Sequence, residues 1–197
     1  MEDTAPEARA RHPGYLIIER QGGQSPPKEL FAELMSNIGV DTSEGRQQQV
    51  GTRTIHKCNG GEAAARLLHH GVDFSNPEWD PFFRLILGCS FHDAIKENPE
   101  VGIWAENGNT QRRPIGPKSS VHIFCPATDK ALDDRRGLFR IVDGSHIMLT
   151  GDIERVKATY ICLQPYEILI MCSELTIEYP QTGGGACVWM RVWRKFT

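Results

Sequence analysis

Two periods of hydrophobicity divide the chain. Up to about residue 100 apolar positions fall mainly at helical spacing; beyond residue 120 they recur at every second position. Leu30, Phe31, Leu34, Met35 and Ile38 predict a helix over 28–38, with Pro27 at its first turn and Gly39 just past its end. Residues 50–57 alternate as a strand does, and Asn59-Gly60-Gly61 breaks it. A helix follows over 62–70, closed by Gly71, and a connection over 74–81 leads to a third helix at 82–96, with Phe82, Leu85, Ile86, Cys89 and Ile95 inward. Residues 107–120 are polar and predict a long exposed loop. Strands are predicted at 121–125, 138–142, 146–149, 156–163, 167–179 and 186–196, with Gly144, Gly151, Pro165 and the run Gly183–Gly185 separating several of them. The expected class is α+β: an antiparallel sheet of four to six strands in the C-terminal half, covered by two or three helices.

Composition adds a boundary and a compartment. At 197 residues, 40% hydrophobic and 24% charged, the chain is expected to form one domain over 29–197, preceded by a flexible arm over 1–28. Within the arm only Tyr15, Leu16, Ile17 and Ile18 are apolar in a row, which suits an edge strand or a self-association segment. No run approaches the length of a bilayer span, and the first thirty residues carry acids and prolines where an export signal would be apolar. None of the six cysteines forms a CxxC pair; Cys89, Cys125, Cys162 and Cys172 have apolar neighbours and are expected reduced and buried, in the cytosol or nucleus.

Charge is uneven. The net charge is −3, but the first 44 residues hold eight acids against four bases, while residues 109–157 hold nine bases against six acids. Arg112, Arg113, Lys118, Arg135 and Arg136, with Arg191, Arg194 and Lys195 beside Trp189, Trp193 and Phe196, are therefore expected to contact an anionic membrane surface or a ribonucleoprotein.

Catalytic signatures are sparse. His92 with its neighbour Asp93, His122 and His146 form a candidate two-histidine, one-carboxylate metal site, although His92 and Asp93 are adjacent rather than one residue apart. Cys89 and His92 are three residues apart on the predicted third helix, but an apolar helix deactivates a thiol. No phosphate-binding loop, dinucleotide fingerprint or nucleophile elbow occurs, and Gly183–Gly185 reads as a turn. The expectation is a non-enzymatic protein with no cofactor.

Ala63-Ala64-Ala65, then Pro81-Phe82-Phe83-Arg84-Leu85, then Gly185-Ala186-Cys187-Val188-Trp189 running to Phe196, occur in an order that resembles the matrix proteins of rhabdoviruses. The resemblance implies a structural protein of the virion that self-associates and links ribonucleoprotein to the inner membrane face during assembly and budding. Its partners would be copies of itself, the viral nucleocapsid, an anionic membrane and a glycoprotein tail, with no small-molecule substrate. Two features depart from the family: the arm is acidic, and Ser25-Pro26-Pro27-Lys28 lacks the tyrosine of a budding motif. A second reading is a small cytosolic metal-dependent enzyme using His92, His122 and His146; a third is a host adaptor module.

Overall fold

The computed structural model describes residues 13–41, 46–50, 53–104, 112–180, 182–183 and 185–194. In chain order these form β1 (Tyr15–Glu19), α1 (Lys28–Asp41), β2 (Arg46–Val50), β3 (Arg53–Asn59), α2 (Gly61–His69), α3 (Asp80–Leu87), β4 (Ile95–Lys96) and β5 (Glu100–Trp104). They continue with β6 (Arg112–Pro114), β7 (Ser120–Pro126), β8 (Arg140–Ile141), the short α4 (Thr150–Ile153), β9 (Glu167–Cys172), β10 (Thr176–Glu178) and β11 (Ala186–Trp193). The α+β class and the antiparallel pairing are as expected. The strands, however, build two sheets. The large one runs β1-β9-β7-β11-β5-β3-β2, with β4 also on β11, and the small one runs β6-β10-β8.

From β5 onward the chain alternates between them: β5, β7, β9 and β11 lie in the large sheet, β6, β8 and β10 in the small. The crossings differ in length, and the one from β9 to β10 is the shortest. Leu175 N–H donates to the Cys172 carbonyl at 3.1 Å, and this turn hands the chain from β9 to β10. The uninterrupted alternation over 167–179 hides the turn, because both sheets need a buried face on either side of it.

Burial separates the two faces of the large sheet. Val121, Ile123 and Cys125 of β7, Ile168 and Ile170 of β9, and Val188, Met190 and Val192 of β11 pack against Leu30, Phe31 and Leu34 of α1, Leu67 and Leu68 of α2, and Phe82, Phe83 and Leu87 of α3. The alternate residues, Phe124, Leu169, Met171, Cys187 and Trp189, pack against Leu175, Ile177 and Tyr179 around β10 and Phe139 and Ile141 around β8. The helices thus cover one face, as expected, and the small sheet covers the other.

Several expected elements are corrected. The third helix stops at Leu87 rather than 96, because Gly88 takes φ +73 and its N–H caps the Arg84 carbonyl; Ile95 and Lys96 then join β11 as β4. The strand expected at 146–149 is a 3-10 turn over Ser145–Ile147. The strand expected over 156–163 makes only isolated bridges, Ile141 to Thr159 and Leu132 to Leu163. The strand expected at 50–57 is β3, paired with β2, for whose first residues, 46–49, no strand is expected. Of the predicted loop at 107–120, residues 107–111 fall outside the described residues and Arg112–Pro114 form β6. Residues 1–12 of the arm also fall outside them, whereas Tyr15–Glu19 form the edge strand β1, paired with β9 from Tyr15–Met171 to Glu19–Glu167.

Candidate functional site

Polar groups enter the inward face of the large sheet at one end of β7. His122 lies opposite Met171 of β9 and Arg191 of β11, and its ring stacks on Phe124 at 5.8 Å and 17°. Its Nδ1 is 2.7 Å from Ser173 Oγ, which is 2.7 Å from Ser120 Oγ, which is 2.8 Å from the Pro117 carbonyl. Both serines are buried. A hydroxyl has one proton, and a carbonyl can only accept. Every contact is satisfied when Ser120 donates to Pro117, Ser173 donates to Ser120, and His122 Nδ1–H donates to Ser173. This chain of contacts calls for a proton on His122 Nδ1, so that in the neutral imidazole the lone pair lies at Nε2. Gly116 lies over the ring: a Cβ there would stand 2.6 Å from His122 Cε1, so only glycine fits.

Four further side chains share the inward side. Arg191 is ion-paired with Glu97 and lies 5.1 Å over the Trp193 ring; its Nε is buried and has no acceptor among the described residues. Trp189 Nε1 donates to Glu100 at 2.9 Å. Arg113 faces inward because its register partner Ile177 is fully buried, while Arg112 opposite Glu178 faces out. Its Nε and Nη2 donate to Tyr179 Oη at 3.0 and 2.6 Å, with the guanidinium 4.8 Å over that ring. Cys187 is also inward, but burial pushes its thiol well above the ordinary range, and it donates to the Cys125 carbonyl at 3.2 Å. It is a packed thiol, with no thiolate character.

The structure separates most of the residues expected to act together. Arg112 is ion-paired with Glu178 at 3.2 Å and donates to the Ile153 carbonyl, while Arg191 holds Glu97, so neither offers an uncompensated charge to an anionic surface. Lys118, Arg135, Arg136 and Arg194 are exposed, and Lys195 falls outside the described residues. In β1, Ile18 is buried, Tyr15 and Leu16 are half-buried, and Ile17 is exposed. The three histidines do not meet: His92 is in the exposed turn after α3, His146 is in the 3-10 turn beside Gly14, and His122 is on the inward face. Among the described residues no three His, Cys, Asp or Glu side chains could hold a metal ion. Cys89 lies beyond the end of α3, and burial raises its thiol. Cys162, expected buried, is exposed; Cys89, Cys125, Cys162, Cys172 and Cys187 are all free thiols. Ser120, Ser173 and Tyr179 were not legible as site residues. The only signal was the parity that sets His122 opposite in sense to Val121 and Ile123.

No family model matches the chain, and no curated protein does. Solved structures do. The epimerase SnoN, in complex with Fe3+, alpha ketoglutarate and nogalamycin RO, superimposes with a TM-score of 0.62 at 14% identity over 95% of this chain and 84% of that one. HygX from Streptomyces hygroscopicus, with nickel, 2-oxoglutarate and hygromycin B bound, gives 0.54 at 12% over 93% and 84%. A prolyl-4-hydroxylase of Pseudomonas putida gives 0.54 at 13% over 97% of each chain. The fold is therefore one that an epimerase and a prolyl-4-hydroxylase use, and the matrix-protein resemblance is overturned, together with the non-enzymatic reading drawn from it. Nucleocapsid, membrane, glycoprotein tail and copies of the chain as partners fall with that reading, as does the absence of a small-molecule substrate, since the neighbours bind small molecules.

Proposed function

We propose that the protein is an enzyme of the double-stranded β-helix class that acts on a small polar molecule held at the inward face of the large sheet, beside His122. The strand-by-strand alternation between two facing sheets and the likeness to enzymes over nearly the whole chain support the class. The observation that carries the reading is the hydrogen-bond chain from His122 through Ser173 and Ser120 to Pro117. A buried relay of this kind orients an imidazole and holds one tautomer, which is what a general base requires.

The donor chemistry of this face does not fit the iron or nickel described for the neighbours. A mononuclear centre of that type takes two imidazoles and a carboxylate around one point. Among the described residues no three His, Cys, Asp or Glu side chains come together around one point, and His122 has no second imidazole and carboxylate beside it. Glu100 is two strands and two residues away, roughly 12 Å at ordinary strand spacings, and already accepts from Trp189. Cys187 lies opposite Pro126, four residues along from His122, roughly 13 Å away. No step is assigned to a metal.

The chain's own residues divide the work. His122 accepts a proton at Nε2; Arg191, with a buried donor in need of an acceptor, orients an anionic substituent; Trp189 and Trp193 supply flat apolar walls; and Gly116, lacking a side chain, leaves room for the imidazole itself. The reading is tested by incubating the protein with small polar metabolites, following binding by ligand-observed NMR and conversion by mass spectrometry. Conversion by the wild type, reduced about 100-fold or more in His122→Gln at an unchanged melting temperature, is the expected result. A folded wild type that binds none of them, or a variant that converts equally fast, would refute it.

A further inference from the structure

The absence of a fitting donor set has a positive counterpart at the junction of β6 and β10. Arg113 and Ile177 are directly opposed on the inward side, and Ile115, two residues beyond Arg113, packs into the same inter-sheet core. Opposed side chains on neighbouring strands start roughly 5 Å apart, close enough for three donors to share one ion. The three side chains here are a guanidinium and two isoleucines. None can ligate a cation, and the first repels one.

Arg113 also differs from Arg112, Arg140 and Arg191. Arg112 and Arg140 share Glu178, Arg140 also holds Asp134, and Arg191 holds Glu97. Arg113 has no carboxylate within ion-pair distance among the described residues; Tyr179 Oη accepts from two of its nitrogens and fixes its plane, leaving the Nη1 donors for something else. A planar fork held in place and lacking a counter-ion suits a carboxylate. On the facing sheet, Arg191 Nε is short of an acceptor too.

We infer that the inter-sheet space takes a small organic carboxylate without any metal ion, with Arg113 as the fixed cation that receives it. The inference rests on the small-molecule reading above and specifies the ligand's charge and the independence from metal. Tyr179 is a positioning residue, acting through the guanidinium.

The test is calorimetric titration of the full chain with 2-oxoglutarate and with succinate in buffer containing EDTA, repeated without EDTA after adding Fe(II) anaerobically, alongside the metal content of the purified protein. At least one of the two acids binds in EDTA, more weakly as salt rises; added Fe(II) neither binds stoichiometrically nor tightens the acid. Arg113→Met weakens binding tenfold or more, and Tyr179→Phe, which keeps the ring and its packing, weakens it severalfold with a near-native melt. Binding that requires Fe(II), stoichiometric iron in the protein, or undiminished affinity in Arg113→Met would each overturn the inference. Failure of both acids to bind, alongside turnover of some uncharged molecule, would sink this inference and leave the enzyme reading standing. Failure of every small molecule to bind would sink both.

Discussion

The two faces of the large sheet are built from the same strands and differ in what they tolerate. Towards the helices the strands present almost wholly aliphatic side chains to Phe82, Phe83 and Leu67. The described exception is Arg20, a buried guanidinium that donates to the Pro165 and His70 carbonyls and so ties the end of β1 to α2 and the β9 turn. Towards the small sheet, aromatic packing by Phe124, Phe139 and Trp189 gives way at one end to His122, Arg191 and the buried serine pair. One face is closed and serves stability. The other is apolar only in part, and its polar end accounts for the proposed chemistry.

The contrast is broken most severely from the helical side. Phe83 is fully buried and packs on Phe91 at 5.2 Å, so Phe83→Ala costs about 3–5 kcal/mol in chemical denaturation, leaving small-molecule binding by the folded fraction intact. The next effect reads pH. Burial raises the Cys125 thiol to about 11, above its unfolded value, so the stability it contributes is fully present below about pH 9 and is lost as pH rises towards 11. Cys187 shifts in the same direction and adds to the loss. The wild type therefore loses about 2–3 kcal/mol over that window, and Cys125→Val flattens the slope. Ser173→Ala, on the inward side, removes the middle of the hydrogen-bond chain; it costs about 1–2 kcal/mol and frees the His122 tautomer, seen as a change in its 15N shifts. Lys118→Glu with Arg135→Glu, both exposed, changes stability by less than about 0.5 kcal/mol and leaves small-molecule binding unaltered.

The periods of hydrophobicity located α1, α2, the start of α3, β7 and β11, because burial on one face imposes them directly. They could not distinguish one sheet with exposed and covered faces from two sheets facing each other. Alternation marks which side chains are buried, and in β7 both sets are: Ile123 under helices, Phe124 under β8 and β10. The matrix-protein resemblance failed for a related reason. Ala63, Ala64, Phe82, Phe83, Ala186 and Val188, which carried it, are core residues wherever they occur in the fold, and packing residues say little about chemistry. His122 was legible as a candidate, but not its partners. Ser173 meets it across 51 residues, through a turn that hydrophobic alternation runs straight past.

The two faces carry their own reporters: Trp79 packs on the helical side, whereas Trp189 and Trp193 are on the inward side. Titrating 15N-labelled protein with 2-oxoglutarate and following the indole N–H signals tests the location of the site most directly. Movement of the Trp189 and Trp193 signals with Trp79 unchanged is the predicted result; movement of Trp79 alone would contradict it.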